Sequence, residues 1–282
     1  MKKYLSLIKF SHTIFAMPFA FIGFFLASYK SEIDWKIFIY IILCMVFARS
    51  SAMAFNRYID RDIDKANKRT SETREIPNGS IKANSALIFV IINSLLFIGT
   101  TFLINTICFY LSPIALLVIL GYSYTKRFTA VCHLVLGLGL SLAPIGAYLA
   151  VSGKFDLIPI LFSVVVLFWV SGFDIIYSLQ DEEFDKEHKL HSIPVLLGKK
   201  TSLTLSKVLH FLVIIILSQI PNYGDFGKLY WIGFSIFSSL LIYQYTLVKH
   251  NDLSKINLAF FTTNGIASVI FGIFVILELL IK

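Results

Sequence analysis

Nine apolar stretches, each close to the length that crosses a bilayer, follow one another along the chain. A membrane-spanning helix needs about 20 predominantly apolar residues, and such stretches cover residues 5–29, 35–56, 85–105, 107–124, 129–151, 156–173, 203–221, 229–248 and 257–281. The first is too long for the core of a signal peptide, so we interpret it as a retained helix. The pattern predicts an all-α, polytopic membrane protein with nine transmembrane helices in a single domain covering residues 1–282.

The composition excludes most other classes of protein. Of the 282 residues, 57% are hydrophobic and 15% are charged, whereas about 25% are charged in soluble domains. Disorder, a secreted disulfide scaffold and a soluble enzyme are therefore excluded. The three cysteines are isolated, which supports neither a disulfide framework nor a structural zinc site. The net charge of +8 indicates where the cytoplasmic loops lie, and it does not predict a nucleic-acid partner.

Lysine and arginine are distributed unevenly between the two sides of the predicted bundle. One side holds 19 of the 25 basic residues, on the N-terminus with Lys9 near the start of span one, and on the loops 57–84, 125–128, 174–202 with Lys207, and 249–256. The positive-inside rule places that side in the cytoplasm. We therefore expect a cytoplasmic N-terminus, an external C-terminus and both long hydrophilic loops on the cytoplasmic face of the inner membrane.

The two long loops carry the same polar spacing. The first loop has Asn56, Asp60 and Asp64 after span two, and the second has Tyr177, Asp181 and Asp185 after span six. Each pair is separated by 121 residues. The match suggests two pseudo-repeated units of four helices, spans two to five and six to nine.

Helical spacing places the acids of each motif together. If each span continues past the membrane surface, residues four apart share one face, which Asp174 also shares in the second motif. Asp62 points elsewhere. Carboxylates four apart repel, and burying them unpartnered is costly. Because Mg²⁺ prefers carboxylates, water and substrate phosphates, the motifs favour a metal and phosphate site over a solvated loop whose acids neutralise nearby lysines.

Basic residues accompany the acids. Lys126 and Arg127, on the short connection 122–128, either bind phosphate oxygens or only orient the loop. Arg49 lies inside span two, where an ionisable residue is a functional hypothesis by default. It either receives the carboxylate of an organic substrate or forms a structural ion pair.

Two further polar residues lie within spans. We interpret His12 in span one and Asn264 in span nine as hydrogen-bond partners between helices rather than as catalysts.

On these motifs the sequence resembles the UbiA superfamily of intramembrane aromatic prenyltransferases. The family's first motif, Asn-x-x-x-Asp-x-x-x-Asp, is matched by Asn56, Asp60 and Asp64. Its second, Asp-x-x-Tyr-x-x-x-Asp-x-x-x-Asp, is matched by Asp174, Tyr177, Asp181 and Asp185. The resemblance covers essentially the whole chain, and it implies transfer of a polyprenyl group from its diphosphate to an aromatic hydroxy acid in the membrane lipid.

The resemblance also implies roles for these residues. Mg²⁺ would be held by Asp60, Asp64, Asp181 and Asp185, which makes these four the catalytic set. Substrate binding would fall to Asn56, Arg49, Lys126, Arg127, Asp174 and Tyr177.

The aromatic acceptor stays open. Residues 172–181 resemble the 4-hydroxybenzoate polyprenyltransferases of ubiquinone synthesis, whereas 54–64 and 190–194 resemble UbiA-like enzymes of the futalosine route to menaquinone, whose acceptor is a hydroxynaphthoic acid. Other classes are less favoured. The signature of CDP-alcohol phosphotransferases is absent, and cation-coupled transporters usually carry their acids near the bilayer midplane. A non-catalytic prenyl-lipid binder remains an alternative.

Overall fold

A computed structural model describes residues 2–8, 16–29 and 32–282. Over these residues the predicted all-α class is confirmed, since they form no strand beyond an isolated bridge between Lys249 and Asp252. The helices are α1 (Lys2–Leu7), α2 (Met17–Ala27), α3 (Trp35–Ile59), α4 (Arg61–Ala66), α5 (Lys68–Ser71), α6 (Ala83–Ile104), α7 (Thr106–Thr125), α8 (Cys132–Ser152), α9 (Leu157–Ser178), α10 (Glu182–Glu187), α11 (Ile193–Gln219), α12 (Lys228–Leu247) and α13 (Asn264–Ile281). Two 3₁₀ turns, Leu179–Asp181 and Ile220–Asn222, and a π-helix, Leu258–Thr263, join some of them.

Seven of the described helical stretches are long and apolar enough to cross a membrane, so the chain is an integral membrane protein. They are Trp35–Ile59, Ala83–Ile104, Thr106–Thr125, Cys132–Ser152, Leu157–Glu187, Ile193–Asn222 and Leu258–Ile281. Each contains one of the predicted spans or most of it.

The remaining two predicted spans have a different outcome. Span eight, 229–248, coincides with α12, a 20-residue helix whose several Ser and Tyr residues and Gln244 make it less apolar. Span one, 5–29, overlaps the end of α1 and includes α2, but residues 9–15, and with them His12, lie outside the described residues. The total of nine transmembrane helices and the cytoplasmic N-terminus therefore stay predictions.

The chain divides into two compact units. The first takes in α1 and Lys36–Tyr124, and the second takes in α2 and Thr125–Lys282. These boundaries are not those of the predicted four-helix repeat, which stays a prediction together with the single domain.

Close contacts between helices build the second unit. A Cβ atom at Gly137 of α8 would collide with the carbonyl of Leu167 in α9, and one at Gly23 of α2 would collide with the carbonyl of Pro144 in α8. Small residues let membrane helices approach closely where lipid supplies no hydrophobic driving force. The space that remains is filled by fully buried aromatic side chains, among them Phe19, Phe162, Trp169, Phe237 and Phe271.

Candidate active site

The first acidic motif begins where α3 ends. Asp60, between α3 and α4, has φ −88° and ψ 7°, outside the helical region. Arg61 Nη1 donates a hydrogen bond to the carbonyl of Tyr58 at 2.7 Å, and a side chain that occupies a carbonyl in this way competes with the helix. The uninterrupted helix expected here is broken at Asp60.

The break places the members of the motif differently. Asn56 Nδ2 donates to Asp60 Oδ2 at 2.9 Å, so these two residues lie together as expected. The side chain of Asp62 is 85% exposed, which agrees with the expectation that it points elsewhere. Asp64 is buried and forms an ion pair with Arg74. Its Oδ2 atom is buried without a hydrogen-bond partner among the described residues.

Basic side chains surround this motif. Arg57 is buried, and its Nη1 atom donates to Asn56 Oδ1 at 3.2 Å. Arg49 lies two turns earlier on α3, and Tyr122 of the same unit interacts with it electrostatically. Arg49 Nε is buried and has no hydrogen-bond partner among the described residues. A buried guanidinium nitrogen in this condition suits an anionic ligand.

The second motif repeats the local structure of the first. After α9 ends at Ser178, the 3₁₀ turn leads into α10. Ser178 Oγ donates to the carbonyl of Ile175 and Gln180 Nε2 donates to that of Tyr177, each at 2.9 Å, so side chains again compete with the helix at its end. The offset of 121 residues that relates the acids also relates the short helices α4 and α10.

Corresponding acids occupy corresponding positions in the two short helices. Asp60 and Asp181 both stand at the N-cap, with ψ near zero. Asp64 and Asp185 are both the fourth residue of the helix, and both are buried. Each forms an ion pair with a basic side chain of its own unit, Arg74 for Asp64 and Lys126 for Asp185.

Lys126 forms the ion pair of the second unit. Its Nζ atom lies 2.7 Å from Oδ1 of Asp185, whose side chain is fully buried, whereas that of Lys126 is 35% exposed. Burial opposes the charge of Lys126, but Asp185 outweighs it and leaves the pKa of Lys126 above its ordinary value. The positive charge of Lys126, which stabilises the ion pair with Asp185, is therefore lost only as the pH rises through the raised pKa of Lys126. Arg127 is exposed next to it in the chain.

Asp174 has a partner that the sequence reasoning missed. Its Oδ2 atom lies 2.7 Å from Nδ1 of His133, a buried residue in the first turn of α8. His133 stands within predicted span five, so the criterion that singled out Arg49, an ionisable residue inside a span, would also have found it.

Tyr177 belongs to an aromatic cluster. Its ring stacks on that of Phe260 in the π-helix at a centroid distance of 4.2 Å, and Phe261 lies at 5.9 Å. Phe173, one turn earlier on α9, meets Phe260 edge to face at 5.2 Å. Of these rings, that of Tyr177 lies one turn before Asp181 along the chain.

The donor set of each motif can be tested against Mg²⁺. Among the described residues, no three His, Cys, Asp or Glu side chains converge as a metal site. Mg²⁺ does not need such a cage, because it commonly binds through one or two carboxylates together with substrate phosphates and water. The unpartnered Oδ2 of buried Asp64 is a hard oxygen atom of the kind this ion prefers. The residues therefore fit magnesium bound together with a phosphate-bearing ligand.

Comparison with known proteins identifies similar chains. Residues 16–266 match the UbiA prenyltransferase family. The 4-hydroxybenzoate octaprenyltransferase of Vesicomyosocius okutanii subsp. Calyptogena okutanii (strain HA) is 30% identical over 238 residues, 84% of this chain and 86% of the relative. That of Aliivibrio fischeri (strain MJ11) is 30% identical, with coverages of 84% and 82%.

Solved structures extend the similarity to the fold. The apo structure of a UbiA homolog from Aeropyrum pernix K1 is 30% identical, with a TM-score of 0.85 and coverage of 95% of this chain and 98% of that one. A UbiA homolog from Archaeoglobus fulgidus bound to DMAPP and Mg²⁺ is 22% identical, with a TM-score of 0.73 and coverages of 99% and 100%.

Proposed function

Because the chain belongs to the UbiA prenyltransferase family, we propose that this membrane prenyltransferase transfers a polyprenyl group from polyprenyl diphosphate to an aromatic hydroxy acid of the 4-hydroxybenzoate type. The observation that carries the proposal is the similarity, over more than four fifths of each chain, to relatives named 4-hydroxybenzoate octaprenyltransferase. The two acidic motifs, each with a buried carboxylate beside a basic side chain, supply the chemistry that a diphosphate substrate needs.

The acids bind the metal and the donor in this proposal. Asp60, Asp64, Asp181 and Asp185 would hold Mg²⁺, which, when bound, neutralises the charge of the leaving diphosphate. Lys126 and Arg127 bind phosphate oxygens directly, and Asn56 and Asp174 orient the ligand set. The positive charge of Lys126 pairs with Asp185 before the prenyl diphosphate binds, and the diphosphate gives it a second anionic partner afterwards.

The aromatic cluster serves the prenyl group. As the C–O bond to diphosphate breaks, positive charge develops on the allylic carbon, and aromatic faces such as that of Tyr177 stabilise a nearby cation. The stacked rings of Tyr177 and Phe260 also exclude water, which would otherwise capture the cation. A ring carbon of the acceptor, ortho to its hydroxyl, forms the new C–C bond and then loses its proton.

Arg49 binds the carboxylate of the acceptor in this scheme. Its buried Nε, which has no hydrogen-bond partner among the described residues, supplies a donor that a planar carboxylate matches. A hydroxynaphthoic acid presents the same carboxylate and hydroxyl, and the similarity of residues 54–64 and 190–194 to enzymes of menaquinone synthesis favours it as the alternative acceptor. The reaction would take place at the cytoplasmic side of the inner membrane.

A direct assay tests the proposal. Purified protein is incubated with radiolabelled polyprenyl diphosphate and, in separate reactions, 4-hydroxybenzoate or a hydroxynaphthoic acid, with Mg²⁺ or with a chelator. We expect a radiolabelled prenylated product with Mg²⁺ and at least a hundredfold less with the chelator, roughly the rate effect of losing the main charge stabilisation of a transition state. The acceptor with the higher kcat/KM identifies the substrate class. Donor binding without turnover on either acceptor would favour a non-catalytic prenyl-lipid binder instead.

A further inference from the structure

His133 links three helices of the second unit through one imidazole ring. Its Nδ1 atom lies 2.7 Å from Asp174 Oδ2 on α9. Its Nε2 atom accepts a hydrogen bond from the backbone N–H of Ile193, the first residue of α11, at 3.4 Å. Because a ring nitrogen that accepts a hydrogen bond carries no proton, the geometry corresponds to the neutral ring with its proton on Nδ1, donated to the carboxylate.

The surrounding backbone joins the same two stretches of chain. The N–H of His191 donates to the carbonyl of Lys126 at 2.8 Å, and Cys132 Sγ donates to the carbonyl of His191 at 3.6 Å. The N–H of Leu190 closes back on the carbonyl of Asp185 at 2.8 Å. Residues 126–133 are thus attached to residues 185–193 at both ends, with the Lys126–Asp185 ion pair at one end and His133 at the other.

The two side chains of the His133–Asp174 contact differ in burial. The side chain of His133 is 5% exposed, whereas that of Asp174 is 23% exposed and reaches the surface of the unit. A buried ring that donates to a partly exposed carboxylate restricts the rotation of that carboxylate. Residues that fix a ligating side chain in this way typically change affinity or activity 10- to 100-fold when they are replaced.

We propose that His133 is a positioning residue for prenyl transfer, which holds the Asp174 carboxylate in the orientation that the diphosphate donor requires and fixes the start of α11 beside it. The inference rests on the proposed function, because Asp174 acts on the donor there. His133 itself touches neither substrate, and its effect passes through Asp174.

Steady-state kinetics of two His133 variants test whether His133 acts on the diphosphate donor through Asp174. His133→Leu removes both hydrogen bonds, whereas His133→Asn keeps a side-chain N–H that can reach Asp174. For His133→Leu we expect kcat/KM for the donor to fall about 10- to 100-fold, with the acceptor KM within about twofold of wild type, because Asp174 serves the donor. His133→Asn should recover most of the loss.

Glu278→Gln is the control for a buried polar side chain that lies outside the site. Glu278 is buried, its Oε2 atom accepts from the N–H groups of Leu229 and Tyr230, and its Oε1 atom lies 3.5 Å from Lys282 Nζ. Its replacement should lower the melting temperature and leave kcat/KM per folded molecule unchanged. If His133→Leu behaves as Glu278→Gln does, or if His133→Asn is as impaired as His133→Leu, the positioning role is wrong.

Hydrogen–deuterium exchange tests, without reference to activity, whether His133 fixes the start of α11. In His133→Leu the amides of residues 190–195 should exchange faster than in wild type, while those of 228–247 should not change. Unchanged exchange at residues 190–195 would show that His133 does not fix the start of α11. If residues 190–195 exchange faster in His133→Leu but the wild-type protein transfers no prenyl group, the role of His133 at the start of α11 stands and the proposed function is refuted, so the two failures are distinguishable.

Discussion

At the scale of single residues, each buried carboxylate of the acidic motifs forms an ion pair within its own unit. Asp64 is next to Arg74, and Asp185 is next to Lys126. Removing one partner of a buried ion pair typically costs about 3–5 kcal/mol, because it leaves an uncompensated charge. Substitutions of Arg74, Lys126, Asp64 or Asp185 therefore combine a loss of stability with any loss of activity. Asp60 and Asp181, which are not members of these two ion pairs, are the better positions for a test of function.

The acids at the two N-cap positions should be equivalent. We expect Asp60→Asn and Asp181→Asn each to lower kcat/KM at least a hundredfold, because each removes a charge assigned to the metal-bound diphosphate, while the protein still inserts and purifies. Asp62→Asn is the matched control, since its exposed side chain should leave the rate within about twofold. The measurement is prenyl transfer at saturating Mg²⁺, and near-normal turnover in both Asp60→Asn and Asp181→Asn would refute the assignment of metal ligands.

Arg49 should act on the acceptor rather than on the donor. Arg49→Lys keeps the charge but loses the planar fork of the guanidinium, so it should weaken acceptor binding without abolishing the reaction. Arg49→Ala should raise the acceptor KM about tenfold or more, the effect of losing a charged hydrogen bond, and leave the donor KM nearly unchanged. Kinetics that show the reverse would reassign Arg49 to the diphosphate, and unchanged constants for both substrates would make it structural.

Single residues also show where sequence reasoning succeeds. The exposure of Asp62 and the contact between Asn56 and Asp60 follow from helical spacing alone. The pairing of His133 with Asp174 does not, because these residues are 41 positions apart on different helices. A contact of that kind depends on how α8 packs against α9, which no local pattern encodes.

At the scale of elements, the π-helix at Leu258–Thr263 is held by the side chain that follows it. Asn264 Nδ2 donates to the carbonyls of Ala259 at 2.9 Å and Phe260 at 3.1 Å, and its Oδ1 atom accepts from the indole N–H of Trp169 at 2.8 Å. The prediction that Asn264 is a hydrogen-bond partner between helices is confirmed. The π-helix itself could not be predicted, since it depends on that amide reaching two carbonyls at once.

Replacing Asn264 should disturb both stability and the aromatic cluster. Asn264→Leu leaves the Trp169 indole and two carbonyls with fewer partners, so we expect unfolding to become easier by about 2–4 kcal/mol. Because Phe260 lies within the π-helix, the donor KM should also rise. Thermal unfolding in detergent and donor kinetics measure the two effects.

Asn93→Leu is the matched control for that test. Asn93 is also buried, but its amide makes a single hydrogen bond within its own helix, to the carbonyl of Phe89 at 2.8 Å. It should cost less stability and leave the donor KM unchanged. Equal effects of the two substitutions would show that the π-helix does not depend on Asn264.

The breaks in the helices were the other local feature that the sequence did not predict. Spacing favoured continuous helices through both motifs, whereas Asp60 and the 3₁₀ turn Leu179–Asp181 interrupt them. Side chains of Arg61, Ser178 and Gln180 donate hydrogen bonds to backbone carbonyls next to these breaks. Hydrogen bonds from side chains to backbone carbonyls depend on side-chain conformers, which hydrophobic periodicity does not predict.

At the scale of the whole molecule, hydropathy predicts most of the architecture. Seven predicted spans coincide with helices that are long and apolar enough to cross a membrane, because a bilayer imposes a length and a composition on anything that crosses it. The division into two compact units was not predicted. It depends on contacts between helices, and those are set by small residues such as Gly137 and Gly23 rather than by overall hydropathy.

The orientation of the chain can be tested by labelling single cysteines in whole cells. In a background with Cys44, Cys108 and Cys132 replaced by serine, Lys228→Cys should react with a membrane-impermeant maleimide from outside the inner membrane. Lys186→Cys, in the second acidic loop, should react only after permeabilisation, because the positive-inside rule places it in the cytoplasm. Both residues are exposed, so differences in burial do not explain the contrast, and the opposite pattern would invert the topology.

The internal ion pairs of the two acidic motifs bear on how such a protein is made. Asp64 and Asp185 are neutralised by Arg74 and Lys126 of their own units, so neither carboxylate has to wait for a metal ion before its surroundings can close around it. We therefore expect newly synthesised chains to fold without Mg²⁺. Under the proposed magnesium dependence, a magnesium-starved cell would accumulate folded but inactive protein, which becomes active when the ion is restored.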